Sequence, residues 1–295
     1  MARILVTGAK GQVGNEIRYL INQFPSLNCV FIDIEELDIT DAAAVNTFFQ
    51  QNTFDFCIHC AAYTAVDRAE SDENTAHAVN VDGSKHLAQA CLLHQCHLIL
   101  LSTDYVYHNQ QNRPFIETDT TNPQGVYAKT KLEGEQVAQQ ILPSSTIIRT
   151  SWVYSSFGHN FVKTMLRLGQ ERDQLNVVFD QIGTPTYARD LAKAILEIIQ
   201  QVEQQEVSAN QLRGIFHYSN EGVTSWYDFA VAIFKLEQIN CRVNPIESKD
   251  YPTPAQRPPF SLLNKAKIKS SFNLEIPHWE ASLQNCLQAI KTSTV

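Results

Sequence analysis

Tyr127 and Lys131 stand four residues apart in the stretch NPQGVYAKTKLEGE, and on a helix that spacing sets a phenol and an ammonium on one face. A phenol ionises at about pH 10, which makes it a poor proton donor near neutrality, and a neighbouring cation lowers that value toward the working range. The pair therefore reads as a proton donor beside its electrostatic partner. The alternative is an exposed helix on which Tyr and Lys share a face by chance. A third group comes from HLILLSTDYVY, a buried-strand pattern ending in Ser102, Thr103, Asp104 and Tyr105. A hydroxyl at such a strand end can donate to a carbonyl oxygen and polarise it, and Thr103 is expected to do so. The structural alternative is a hydroxyl that merely bonds the next turn.

A second constellation lies at the N-terminus, where RILVTGAKGQVGNEI runs from an apolar strand through Gly8, Gly11 and Gly14 into a helical pattern. Three glycines alone are weak evidence, because strand-turn-helix joints use glycine for geometry. Here the context fits a phosphate cradle. Gly8 serves the tight turn, Gly11 lets backbone approach a pyrophosphate, and Gly14 permits close packing of helix on strand. The helix starting near Gln12 aims unpaired amides at that anion. Asp33, at the end of the next strand in VFIDI, supplies the acid expected to bind an adenosine ribose.

The elements that must position these groups alternate. ARILVT, CVFIDI, FDFCIHC, HLILLST and STIIRT read as strands, and helical patterns begin near Gln12, Asp41, Glu73 and Gly125. Alternation of this kind specifies right-handed βαβ units on a parallel sheet, an α/β fold of Rossmann type, doubly wound. Further on, helices are expected at about 160–171 and 188–205, with a strand-like GIFHYS at 214–219. The proline-rich YPTPAQRPPF cannot extend a central sheet, so it is expected as a shaped loop on a smaller C-terminal lobe. The resulting division is a dinucleotide-binding domain of 1–170 plus about 187–220, and a smaller substrate-binding lobe of about 171–186 and 221–295.

Bulk properties narrow the function classes. The chain of 295 residues carries 31 acidic against 23 basic residues, a net charge of −8, with no long basic run, which argues against an extended nucleic-acid footprint. No stretch reaches the roughly 18 apolar residues of a membrane span, and MARILVTG is too short for a secretory signal, so a cytoplasmic location is expected. Seven cysteines, lying in expected strands and helices, suit reduced thiols. Cys57 and Cys60 form a C-x-x-C, but three residues along a strand turn them to opposite faces and no second such motif completes a metal site. Cys91, His94, Cys96 and His97 have closer to ligand spacing, yet straddle an expected helix end and the next strand.

With GxxGxxG, STDYVY and YxxxK in this order, the chain resembles the extended short-chain dehydrogenase/reductases. AAYTAVDRAE, VYAKTKLEGE, RTSWVY, NFVKTMLRL, DQIGTPT and YPTPAQRP narrow the resemblance to the dTDP-4-dehydrorhamnose reductase family, and it runs from the first strand to the final residues. The resemblance implies reduction of the C4 ketone of dTDP-4-dehydro-β-L-rhamnose to dTDP-L-rhamnose, the last step of that sugar's synthesis, with NADPH or NADH as cofactor. Tyr127 would give its proton to the developing alkoxide, Lys131 would hold the nicotinamide ribose and depress the tyrosine pKa, and Thr103 would bond the reacting oxygen. Cofactor contacts carried over are Gly8, Gly11, Gln12, Val13, Asp38, Ile39, Ala61, Ala62 and Tyr63. Substrate contacts carried over are Thr64, Val66, Asp104, Tyr105 and Trp152.

Trp152 offers a flat apolar face suited to the C–H face of a deoxysugar, its alternative being a core tryptophan. Arg257, in the proline loop, is expected at the diphosphate or thymidine end, its alternative being a surface salt bridge. Asn160 and, less strongly, Lys163 are further candidates at a helix start. Asp33 argues for NADH by repelling a 2′-phosphate, whereas Lys10 can attract one, so the preference stays open. Some members of the family are dimers bridged by magnesium through carboxylates. Glu16 keeps the first of those positions while Arg189 and Ala289 stand at the other two, so no tightly bound metal is expected, and the chain is expected as a monomer or a weak homodimer formed otherwise. Two other readings compete: another nucleotide-sugar enzyme of this fold, an epimerase or dehydratase, and a non-catalytic regulatory subunit like the β subunit of methionine adenosyltransferase.

Overall fold

The computed structural model describes residues 1–293. The five apolar runs of the N-terminal half become β1 (Ala2–Thr7), β2 (Leu27–Phe31), β3 (Phe56–His59), β4 (His97–Thr103) and β5 (Thr146–Thr150), and GIFHY becomes β6 (Gly214–Tyr218). The principal helices are α1 (Gln12–Leu20), α2 (Ala42–Gln51), α3 (Gly83–Leu93), α4 (Gly125–Ile141), α5 (Phe161–Glu171), α6 (Ala188–Glu203), α7 (Trp226–Glu237) and α8 (Trp279–Ser293).

All six strands pair in parallel in the order β2-β1-β3-β4-β5-β6. Helices cover both faces, so a strand such as β4 has no solvent side. Its Leu98 and Leu100 enter the core under α2 and α3, while Ile99 and Leu101 enter the core under α1 and α6. This is the doubly wound α/β sheet that the alternating pattern predicts. The chain leaves β1 for β2 in one direction and returns to β3 in the other. That reversal opens a crevice beyond the carboxyl ends of β1 and β3, where sheets of this kind bind ligands.

A second core forms beyond the sheet from α5, α7, α8 and the parallel pair Gln174–Val178 with Arg242–Ile246, around Phe229, Ile233 and Leu283. The division near residue 170 therefore needs correction, because Val162 and Met165 of α5 belong to this second core. Amphipathy sets which neighbour α5 covers, and a sequence position cannot reveal it. The last two residues of the proposed lobe, 294 and 295, lie outside the described residues. The proline-rich segment is an irregular loop pinned to this lobe, the Ile182 amide donating to the Pro259 carbonyl and the Ser261 amide to the Ile182 carbonyl.

The seven cysteines are free thiols. Cys57 and Cys60 point into opposite cores, and Cys91 and Cys96 lie buried with Cys57. Among the described residues no group of three or more His, Cys, Asp or Glu converges as metal ligands, and no helix is long and apolar enough to cross a membrane.

Candidate active site

The crevice at the strand ends is a cleft of about 1120 Å³ that runs from the glycine loop to the junction with the second lobe. Gly8 sits at φ +64°, and a Cβ there would lie 2.6 Å from the Ala61 amide nitrogen, so β1 and the loop after β3 approach as closely as only glycine allows. Gly11 caps α1 and its amide donates to the Gly8 carbonyl at 3.0 Å. Gly14 lies behind the cleft: a Cβ on it would meet the Gly8 carbonyl oxygen at 2.6 Å, which is the helix-on-strand packing its spacing implies. The first turn of α1 thus presents free amides to the cleft beside Gly11, Gln12 and Val13. Asp33 lines the cleft with one carboxylate oxygen accepting the Lys10 amide at 2.8 Å and the other the Ile34 amide at 2.9 Å. Each oxygen keeps a lone pair for a ribose hydroxyl. Asp38, Ile39, Ala61, Ala62 and Tyr63 continue the same wall.

Helix α4 carries Tyr127 and Lys131 into the middle of the cleft and is held there at several points. The Glu70 carboxylate accepts the Val126 amide at 2.8 Å, an anion on the helix N-terminus. A π-helical stretch, Ala78–Asp82, bulges toward α4, and Gly134 accommodates it, since a Cβ there would sit 2.2 Å from the Asn80 carbonyl oxygen. Asn80, fully buried, exchanges hydrogen bonds with the Tyr63 backbone and donates to the Thr130 hydroxyl at 3.1 Å, so it fastens the cofactor wall to the helix of the tyrosine and lysine. One turn past Lys131, buried Glu135 pairs with Arg149 of β5 at 2.6 Å and accepts from Ser102, the neighbour of Thr103. Arg149 donates in turn to the Tyr107 hydroxyl at 2.6 Å.

The electrostatics correct one expectation. Burial pushes the Tyr127 phenol up to about 12, with the Thr103 hydroxyl pulling it partly back. The burial of the phenol outweighs the neighbouring ammonium; Lys131 donates to the Leu101 carbonyl at 2.7 Å and is itself driven down to about 8 by burial, against the pull of Glu135. Thr103 both lines the cleft and bonds the next turn, accepting the Tyr105 amide and donating to Asp104 at 3.2 Å. The Asp104 carboxyl, 1% exposed, is raised to about 7 by burial, and its second oxygen has no hydrogen-bond partner. The Tyr105 ring meets that of Tyr127 edge to face at 5.6 Å.

On the side of the second lobe, Thr64, Val66 and Trp152 line the cleft as the resemblance implies. Trp152 holds φ +47°, a left-handed backbone rare for a bulky side chain. Its face is not free: Trp226 stacks on it at 3.7 Å, and Gly183 approaches its ring so closely that a Cβ would stand at 2.9 Å. Two expected substrate residues adjoin the cleft without lining it. Asn160 caps α5, accepting the Lys163 amide and donating to the Gln12 side chain at 3.0 Å, so it bridges the glycine loop to the second lobe without lining the cleft. Arg257 forms a two-pronged ion pair with Asp67 at 2.8 and 3.1 Å and also donates to the Ala255 carbonyl. Glu16 has both oxygens engaged, by Ser155 at 2.6 Å and by Arg189 at 2.7 Å.

The sequence reading missed Trp226, Asn74, Thr75, Val79, Thr150 and His159, all on the cleft wall, and the supporting Asn80 and Glu70. The run SNEGVTSWYDF marks a helix start at Trp226, but nothing in it points back to Trp152.

The family model described as the RmlD substrate binding domain matches residues 2–292. The dTDP-4-dehydrorhamnose reductase of Aggregatibacter actinomycetemcomitans is 40% identical over 292 residues, covering 97% of this chain and 98% of that protein. The crystal structure of such a reductase from Clostridium acetobutylicum superposes with a TM-score of 0.92 at 39% identity, covering 98% of this chain and 99% of that one. The Bacillus anthracis reductase, solved in complex with NADP, gives a TM-score of 0.91 at 34% identity over the same shares of the two chains.

Proposed function

Because this chain belongs to the dTDP-4-dehydrorhamnose reductase family, we propose that it reduces the C4 ketone of dTDP-4-dehydro-β-L-rhamnose to give dTDP-L-rhamnose. The observation that carries this reading is the meeting of Tyr127, Lys131 and Thr103 in one cleft with the glycine loop and Asp33. The dinucleotide fits the residues present. Gly8 and Gly11 leave no side chain in the cradle, the amides of α1 face it, and Asp33 keeps lone pairs for the ribose. When bound, reduced nicotinamide supplies the hydride that the ketone carbon accepts.

The chain's own residues then handle the oxygen. Thr103 and Tyr127 hydrogen-bond it, which stabilises the charge that develops as the carbonyl becomes an alkoxide. Burial keeps Tyr127 protonated across the neutral range, so the proton is in place when needed, and the phenol remains a stronger acid than the sugar alcohol it protonates. Lys131, close to its own titration near pH 8, lies on the same helix face to bind the nicotinamide ribose and return a proton to the phenol. Trp152 and Trp226 wall the sugar side. The second lobe, from about residue 151 to 293 except about 188–218 and 266–274, which pack on the sheet, takes the nucleotide. Arg257 reaches the diphosphate only by exchanging Asp67 for phosphate oxygens, a swap of one bidentate anion for another.

The same reading gives a protein of the cytoplasm acting on a free nucleotide sugar, as a monomer or weak homodimer without a bridging metal. Its reduced thiols and the engagement of Glu16 by Arg189 support this. Incubating purified protein with dTDP-4-dehydrorhamnose and NADH or NADPH, then resolving the nucleotide sugars by anion-exchange chromatography, tests it. Stoichiometric dTDP-rhamnose is expected. Isomerised substrate without cofactor consumption would favour the epimerase reading instead.

A further inference from the structure

Lys10 and Asp33 pull the cofactor choice in opposite directions in the sequence, and the structure decides between them. Lys10 lies in the glycine loop, but its ammonium is 2.7 Å from Glu35. Glu36, the next residue, accepts the Asp33 amide at 2.8 Å, and the Glu36 and Leu37 amides close the turn onto the Asp33 carbonyl. Three carboxylates, Asp33, Glu35 and Glu36, are thus folded into one turn around a single ammonium that one of them already holds. Arg18 brings no help, since its guanidinium lies over the Phe31 ring at 4.2 Å and does not line the cleft.

Resting on the reductase reading, we propose that the adenosine end of the cleft is built for a free 2′-hydroxyl, so that this chain selects NADH over NADPH, and that Glu35 is a specificity-determining residue because it occupies Lys10. A 2′-phosphate brings nearly two negative charges beside the carboxylate that receives the ribose, and among the described residues the one cation lining this end of the cleft, Lys10, is paired. The Lys10–Glu35 pair is more than half exposed on each side, so it can open, and the selection is one of degree. Charges at the surface are screened by salt, so the selection weakens as ionic strength rises. The Bacillus anthracis relative was solved in complex with NADP, so the selection proposed here is a property of this chain's own turn after β2.

The test is a binding titration of the free protein with NADH and with NADPH, followed by the fluorescence of the reduced nicotinamide at low and at moderate salt. NADH should bind about tenfold more tightly at low salt, the gap narrowing with salt. Glu35→Gln should tighten NADPH by about fivefold while leaving NADH within about twofold, because it frees Lys10 and removes one repelling charge. Adding Lys10→Gln to Glu35→Gln should erase most of that gain. Equal affinities for the two dinucleotides in the unaltered protein, or a Glu35→Gln effect of the same size on both, would overturn the inference while leaving the reductase reading intact. Failure to bind either dinucleotide would overturn both.

Discussion

Replacing Lys131 by Met should abolish reduction and yet make the free protein more stable. The side chain is 5% exposed and its ammonium has the Leu101 carbonyl as a hydrogen-bond partner, so a charge is being held where hydration is poor. The fall of its pKa from 10.5 to about 8 measures that cost, about 3 kcal/mol at neutral pH by linkage. The sign follows from proton counting. Below about pH 8 both folded and unfolded chains carry the charge, and the folded one bears the full penalty. Between about 8 and 10.5 the folded lysine has lost its proton while the unfolded one keeps it, so stability rises with pH and the penalty is relieved. Methionine has similar length and no charge, and should recover roughly 2 kcal/mol of this net penalty, the remainder going to the loss of the hydrogen bond to the Leu101 carbonyl. Urea unfolding of both proteins without cofactor, at pH 7 and again near pH 10, measures the difference. The variant should be the more stable at pH 7, and the gap should shrink toward pH 10. A variant that is less stable at pH 7, or a gap independent of pH, would refute the idea that the cleft holds a strained charge for catalysis.

Glu135→Gln should cost about 3 kcal/mol in the same unfolding assay by leaving the buried Arg149 guanidinium without its anion, whereas Glu135→Leu combined with Arg149→Met should recover most of that loss. The same single change removes the carboxylate that supports the charge on Lys131, so the alkaline limb of the pH–rate profile should move to lower pH, and the double variant should keep that shift even where its stability returns. Trp226→Ala should raise KM for the nucleotide sugar by about tenfold with a smaller effect on kcat, because it strips the stacked partner from Trp152 and loosens the sugar wall. Steady-state kinetics with varied sugar and saturating cofactor would measure it.

Local rules carried most of the sheet and half of the site. The apolar runs were enough to place the six strands, because strands covered on both faces leave a continuous signature, except that β2 runs Leu27–Phe31 and ends before Asp33 rather than extending to it. The close packing of Gly8 and Gly14 followed from their spacing together with the strand before them and the helix after, since a missing side chain is required where a helix and a strand touch this closely. What escaped were contacts between distant segments. Nothing near Arg257 shows that Asp67, 190 residues earlier, will claim its guanidinium. Nor does RTSWVY reveal that a second indole will lie over Trp152. Asn80 was hidden for a different reason: a π-helical bulge breaks the helical period that would have marked which face it occupies. The tyrosine pKa was misjudged because proximity of an ammonium was counted and the larger effect, burial of the phenol, was not.

The central claim is that Tyr127 delivers the proton for a ketone reduction in this cleft, and one comparison bears on it most directly. Loss of reduced-nicotinamide absorbance would be followed with dTDP-4-dehydrorhamnose for the unaltered protein and for Tyr127→Phe, alongside cofactor titrations of both. The account predicts substrate-dependent oxidation that falls by about a thousandfold in the variant while cofactor affinity stays within a few fold. A variant retaining most of the rate, or an unaltered protein that binds cofactor and never oxidises it, would contradict the account, the second result pointing to the regulatory-subunit reading.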